Sequence, residues 1–200
     1  MKNILVINSS LSSENGNSSK LSNKLVERLE KQYAELNVVQ RNLNEMNLPH
    51  LTMEEMVAWG TDSAARTAQQ AALATLSDTL IAELQQADAV VIGMPMYNFG
   101  VPSTFKAWID RVARAGITFK YTETGPQGLL SNKKVYILAA RGGKYFGTPK
   151  DSQTQYLKDV LSFVGLSDIE FIYVEGLAMG GDTAQSAWSF AEKELERLIA

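Results

Sequence analysis

The chain has no cysteine and one histidine, His50, among its 200 residues. The first absence excludes disulfides, thiolate catalysis and thiolate-ligated metal or iron–sulfur centres. The second leaves too few imidazoles for a His-based metal site. No apolar run approaches the roughly 20 residues that a bilayer span needs. The short run Ile4–Ile7 is too brief for the apolar region of a secretory leader. A cytoplasmic protein with no membrane partner is the expectation. Neither sign of charge dominates, since 19 Lys and Arg face 22 Asp and Glu for a net charge of −3. That balance gives no electrostatic reason to expect nucleic acid as a partner. Two phosphate-binding signatures are also missing: neither G-x-x-x-x-G-K-[ST] nor G-x-G-x-x-G follows the first apolar run.

What is present is a globular composition, 45% hydrophobic and 20% charged. The length suits a single domain, residues 1–200, with a substantial core. The organising stretch is 88–114. Ala89-Val90-Val91-Ile92 reads as a strand buried on both faces, as in the middle of a parallel sheet. Gly93 to Pro102 reads as a loop, and Ser103-Thr104 caps a helix with Phe105, Trp108, Ile109 and Val112 on its apolar face.

The rest alternates around it. Strands are expected at Ile4–Ile7, Val38–Arg41, Lys134–Ala139 and Asp168–Val174. Helices are expected at Ser18–Leu36, Met53–Trp59, Ala64–Gln86, Asp151–Val164 and Gly181–Ala200, the last capped by Asp182 or Thr183. Ile117, Phe119 and Tyr121 alternate in a short extended segment before a Gly125-Pro126 turn. The β-α alternation predicts an α/β fold, a doubly wound five-stranded parallel sheet with helices on both faces.

In such sheets the ligand lies beyond the carboxyl ends of the strands, so three loops matter. The first, from Asn8 to Ser19, is rich in Ser, Asn and Gly and runs into a helix. Ser10, Ser18, Asn17 and backbone N–H groups can donate to phosphate, with Gly16 allowing close approach and the helix dipole assisting. Lys20 follows, but the loop itself holds no Lys or Arg. An uncharged cradle suits one terminal phosphate better than a triphosphate with magnesium. The second loop, Pro95-Met96-Tyr97-Asn98-Phe99-Gly100, offers apolar faces from Met96, Tyr97 and Phe99 and a side-chain amide from Asn98. An isoalloxazine ring, with its flat apolar body and one polar edge, needs both. The third loop is Ala140-Arg141-Gly142-Gly143-Lys144. Its glycines let backbone amides approach a ring edge, and Lys144 or Arg141 could offset charge on a reduced ring.

Four blocks then carry a resemblance across the whole chain: Pro95-Met96-Tyr97-Asn98-Phe99, Ala113 to Glu123, Gly125-Pro126-Gln127-Gly128-Leu129 and Arg141-Gly142-Gly143. In order and spacing they resemble the FMN-dependent NADH-azoreductases, within the flavodoxin-like NAD(P)H:quinone oxidoreductases. The resemblance implies a flavodoxin-like fold and one bound FMN per subunit. The FMN contacts it implies are Ser10, Gly16, Asn17, Ser18, Met96, Tyr97, Asn98, Phe99, Ala140, Arg141, Gly142 and Gly143. It implies NADH as electron donor, quinone or azo compounds as acceptors in a ping-pong cycle, and a homodimer with each flavin near the interface. No side chain is implied as an essential acid or base, and Tyr121 and Phe163 are implied as pocket-lining. Two departures stand out. Gly16-Asn17-Ser18 replaces a common Ser-Gln-Ser, and Lys144-Tyr145-Phe146 replaces a His-containing loop. The alternatives are a flavodoxin-type electron carrier, a general NAD(P)H:FMN reductase, or a flavodoxin-like protein that has lost flavin. Against a carrier, the chain lacks a strongly acidic face, and Lys106, Arg111 and Arg114 are expected beside the site.

Overall fold

A computed structural model describes residues 1–199. Five strands form one parallel sheet: β1 (Asn3–Asn8), β2 (Asn37–Asn42), β3 (Ala89–Pro95), β6 (Lys134–Ala140) and β7 (Asp168–Val174), in the order β2-β1-β3-β6-β7. The register aligns Ile4 with Ala89, Ala89 with Lys134 and Lys134 with Asp168. The remaining pair, β4 (Phe119–Thr122) and β5 (Gly125–Gly128), is an antiparallel hairpin off the main sheet. The expected extended segment thus includes a second strand, with Pro126 opposite Tyr121. A hairpin this small tolerates Pro because it has no inner strand position.

Alternation along each strand sorts the core into two. Leu5, Ile7, Val90, Ile92, Met94, Val135, Ile137 and Ala139 face one side. There they meet α3 (Ala68–Gln86), α4 (Ser103–Val112) and α5 (Ser152–Phe163) through Leu80, Leu84, Phe105, Trp108, Leu157 and Leu161. Ile4, Val6, Ala89, Val91, Tyr136 and Leu138 face the other. They meet α1 (Asn17–Gln32) and α6 (Thr183–Ile199) through Leu21, Leu25, Leu29, Ala191 and Leu195. Each fully buried aliphatic side chain contributes about 1.5–3 kcal/mol, so the doubly wound arrangement holds because both faces are covered. A further short helix, α2 (Met53–Gly60), packs on the α3–α4 side. No described helix is long and apolar enough to cross a membrane.

Several boundaries differ from expectation for local reasons. α1 stops at Gln32, where Tyr33 leaves the helix so that the Asn37 N–H can reach the Lys2 carbonyl and start β2. α3 begins at Ala68, not Ala64. Thr67 and Gln70 form a reciprocal capping box, and 63–65 is a separate 3₁₀ turn. β3 continues through Gly93 and Met94 to Pro95, all buried, so the loop after it starts at Met96. The expected end of the last helix at Ala200 lies outside the described residues.

Candidate functional site

β1 and β3 are neighbours, with β2 and β6 outside them, so the strand order reverses between these two and a crevice opens at their carboxyl ends. The first loop is fixed by polar contacts within the chain. The Ser9 hydroxyl donates to the Gly93 carbonyl at 3.0 Å, and the Ser22 hydroxyl donates to Asn8 Oδ1 at 2.8 Å. Gly93 is required beneath them, since a Cβ there would lie 2.3 Å from Asn8 Oδ1. A Cβ on Gly16 would lie 2.1 Å from Ser10 Oγ. The chain therefore enters α1 through a residue with no side chain, and no side chain caps the helix. The hydroxyls of Ser18 and Ser19 are buried there without a partner. Uncapped N–H groups, a helix dipole and the unmet Ser18 hydroxyl at the cavity wall are features that suit an anion without a cation. Asn17 is exposed at its rim.

The second loop is a tight turn. The Tyr97 N–H donates to the Gly100 carbonyl at 3.2 Å, and the Gly100 N–H donates back to Tyr97 at 3.0 Å. Asn98 (φ 50) and Phe99 (φ 65) between them are both left-handed. Asn tolerates that region, whereas Phe is strained in it. Neither the Asn98 and Phe99 N–H groups nor the Asn98 amide meets an acceptor among the described residues. The Tyr97 hydroxyl accepts from the Leu11 N–H at 3.1 Å and ties this turn to the first loop. Met96 and Tyr97 stand between two adjoining cavities. One, of about 380 Å³, is lined by Ser10, Gly16, Asn17, Ser18, Ala140, Arg141, Gly142 and Ala178. The other, of about 550 Å³, is lined by Asn98, Val101, Pro102 and Thr104. Phosphate donors and an aromatic turn thus share one crevice.

In the third loop Ala140 is the last residue of β6, and its carbonyl accepts from the Met96 N–H at 3.1 Å. The N–H groups of Gly142 and Gly143 have no acceptor among the described residues. Arg141 is fully buried, with Nη1 3.0 Å from Glu175 Oε1 and Nη2 3.0 Å from Asp151 Oδ1 and 2.9 Å from Thr154 Oγ1. Its guanidinium lies 4.8 Å from the Tyr173 ring centroid. Burial pushes the Tyr173 phenol up to about 12. Burial alone would raise the Asp151 carboxyl, but hydrogen bonds from Arg141 and Thr154 outweigh it and hold the group below the usual carboxylate range. Two carboxylates already surround the one guanidinium, which removes Arg141 as a cation for a reduced ring. It builds the loop, and its Nε is buried without a partner.

Other expectations are corrected by position. Lys144 lines neither crevice cavity. It lines a separate space of about 620 Å³ between the end of β7 and the start of α6, with Phe146, Tyr173, Glu175 and Phe190. Tyr121 and Phe163 are not in the crevice. Tyr121 lies on the β4–β5 hairpin and Phe163 ends α5, and the two elements meet where the Leu130 N–H donates to the Val164 carbonyl, just before β6 and β7 begin, at the amino end of the sheet. Phe163 packs on Phe119 with centroids 4.2 Å apart, and Tyr121 is 74% exposed. Arg111 and Arg114 are not beside the site either. Arg111 is buried against Glu55 at 2.9 and 3.1 Å, joining α4 to α2, and Arg114 pairs with Asp78 and lies over Trp59. Two residues escaped the sequence reading. Ser22 and Gln153 are polar groups on otherwise apolar helix seams, and that mismatch was their signal. The described residues contain no cluster of three or more His, Asp or Glu able to hold a metal.

A family model described as having a flavodoxin-like fold matches residues 2–199. The chain is 54% identical over 199 residues to the FMN-dependent NADH:quinone oxidoreductase of Pseudoalteromonas atlantica, covering 100% of this chain and 98% of the relative. It is 54% identical over 200 residues to that of Cellvibrio japonicus, covering 100% of each. Among solved structures, the azoreductase of Bacillus anthracis strain Sterne superposes with a TM-score of 0.88 at 27% identity, covering 100% of this chain and 99% of that one. An FMN-dependent NADH-azoreductase of B. anthracis strain Ames Ancestor, solved in complex with FMN, gives 0.87 at 25% identity over 100% of both chains. The chain belongs to the flavodoxin-like fold family, in the branch of the FMN-dependent NADH:quinone oxidoreductases.

Proposed function

We propose that the three loops hold FMN and that each conserves a separate part of the task. Ser10, Gly16, Asn17 and Ser18 take the phosphate. Met96, Tyr97, Asn98 and Phe99 meet the isoalloxazine ring, and Ala140, Gly142 and Gly143 line its far edge. One observation carries this reading. The uncapped start of α1, with its buried unmet hydroxyls, opens on the same crevice as an aromatic turn whose N–H groups are unmet.

The enzyme is an FMN-dependent oxidoreductase that passes two electrons from NADH to quinones and to azo compounds. FMN held by these three loops would supply the two-electron redox chemistry between donor and acceptor. Donor and acceptor occupy one place in turn, a ping-pong cycle, and full cleavage of an azo bond to two amines takes two rounds. The chain contributes binding, orientation and exclusion of water. The turn 97–100 supplies ring contacts and the free amides of Gly142 and Gly143 supply donors. No side chain is assigned as an essential acid or base. The Tyr97 hydroxyl accepts from the Leu11 N–H and so ties turn 97–100 to the first loop.

A homodimer belongs to the same proposal. Met53, Met56 and Val57 share one face of α2 and are 68%, 50% and 54% exposed. A contiguous apolar face of this kind favours a partner. Tyr121, remote from its own crevice, meets substrate only across a subunit boundary. A cytoplasmic location is part of this reading too, as the compartment that supplies NADH.

The test is purification of the full chain. A yellow protein that retains FMN and oxidises NADH with menadione or a simple azo dye is expected. Colourless protein that does not bind added FMN would sink the reading, and yellow protein inert to NADH would point to an electron carrier.

A further inference from the structure

The turn 97–100 is held from outside by two adjacent side chains of one helix. Gln153 is only 1% exposed, and its Nε2 donates to the Pro95 carbonyl at 2.9 Å and to the Gly100 carbonyl at 3.0 Å. Beside it, the Ser152 hydroxyl donates to the Phe99 carbonyl. Three carbonyls in and next to the turn thus end on the first turn of α5. That same turn of helix, through Asp151 and Thr154, also receives Arg141 of the third loop. Between the bonded carbonyls lie Asn98 and Phe99 in the left-handed region, and a Phe stays there only where its surroundings over-determine it.

Stability of α5 does not by itself account for the residue. Positions 153, 157 and 161 form one seam, and Leu157 and Leu161 are fully buried. An aliphatic side chain would continue that seam. The amide instead carries a buried Oε1 with no partner, which is unfavourable. Its two donors serve only the flanks of the aromatic turn, and Gln153 lines neither crevice cavity.

We propose that Gln153 is a positioning residue for the flavin. It holds turn 97–100 in the left-handed shape that presents Asn98 and Phe99 to the ring. This rests on the FMN reading above. Loss of Gln153 takes one hydrogen bond from the buried Pro95 carbonyl and one from the Gly100 carbonyl, which then keeps only the Tyr97 N–H, and the turn relaxes to a shape that fits the ring less well.

Two variants test this. Gln153→Met keeps the length and suits the seam, but removes both donors. Gln153→Glu sets carboxylate oxygens against the two carbonyl oxygens. The readouts are FMN affinity by flavin fluorescence, the visible bands of bound flavin, the rate of flavin reduction by NADH, and the Tm of the flavin-free protein. Losing two buried hydrogen bonds should weaken FMN binding by about tenfold in each variant. The visible bands should shift and reduction should slow, while the flavin-free Tm of Gln153→Met stays at or above the wild-type value. Lowering the pH from about 8 to about 5.5 should restore part of the affinity in Gln153→Glu only, because a protonated carboxyl donates one hydrogen bond. Wild-type affinity and spectrum in Gln153→Met would overturn the role of Gln153 and leave the FMN reading standing. A wild-type chain that binds no FMN would overturn both.

Discussion

At the junction of α2, α3 and α4, Arg111 holds Glu55, and Arg66 and Arg114 share Asp78. On the opposite face of the sheet, the first turn of α1 buries Ser18 and Ser19 with no partner for either hydroxyl. Both clusters are polar, and Arg111, Glu55 and Arg114 are buried as the two serines are, while Asp78 lies at the surface. In the first the chain meets its charges with charges of its own, and the result is a brace. In the second it leaves donors unmet at the start of a helix, and that is what supports the site proposed above. Charge content therefore misleads here. The arginines expected beside the crevice belong to the brace, and the crevice draws on hydroxyls, backbone N–H groups and a helix dipole.

The largest effect that separates the two regions should come from Arg111→Met. It strands Glu55 as a buried carboxylate without its partner, which costs about 3–5 kcal/mol. Urea unfolding should show that loss, while the fraction that remains folded binds FMN as the wild type does. A parallel fall in FMN affinity would break the distinction between brace and site. Ser18→Ala should behave in the opposite sense. Removing a buried hydroxyl that lacks a partner should leave flavin-free stability unchanged or raise it by up to about 1–3 kcal/mol. It should weaken FMN by about tenfold, since a hydrogen bond to a charged phosphate is worth about 1.5–3 kcal/mol. Titration calorimetry together with thermal unfolding measures both quantities, and stability falling with affinity would show that Ser18 is only a packing residue.

The smallest effect is expected with pH. The folded-state pKa of Asp151 lies below its ordinary value, so its stabilisation is present above about pH 3.9 and is lost as the pH falls through the folded value. Urea midpoints measured below about pH 5 should fall, with retained FMN falling alongside as Arg141 loses its anchor on α5. Asp151→Asn should remove that part of the acid dependence. An unchanged acid limb in the variant would mean that other carboxylates govern it.

How legible all this was depended on the range of the interaction. Strands 4–7 and 89–92 were readable because both faces of a central strand must be apolar, and that is a property of adjacent residues. The box of Thr67 and Gln70 is just as local but went unread, and the expected helix began four residues early. The donor-rich loops were visible as composition. The pairing of Arg111 with Glu55 spans 56 positions, and that of Arg114 with Asp78 spans 36. No pattern along the chain announces either. Tyr121 and Phe163 were placed at the pocket by resemblance, while the fold of one chain sets them at the other end of the sheet. Gln153 lay between these cases. Its spacing from Leu157 and Leu161 marked a polar residue on an apolar seam, but only the folded chain shows which carbonyls it serves.

The absence of a cation within the first loop also governs how the cofactor is held. Attraction between full charges reaches over about 8–10 Å and weakens as salt is added. Hydroxyls and N–H groups at a helix start act only at contact distance, and added ions screen them little. On the FMN reading proposed above, cofactor retention should depend more on fit than on ionic strength, with only the helix-dipole part screened by salt. The side-chain-free position at Gly16, where a Cβ would fall 2.1 Å from Ser10 Oγ, is what lets the chain enter α1 beside that hydroxyl.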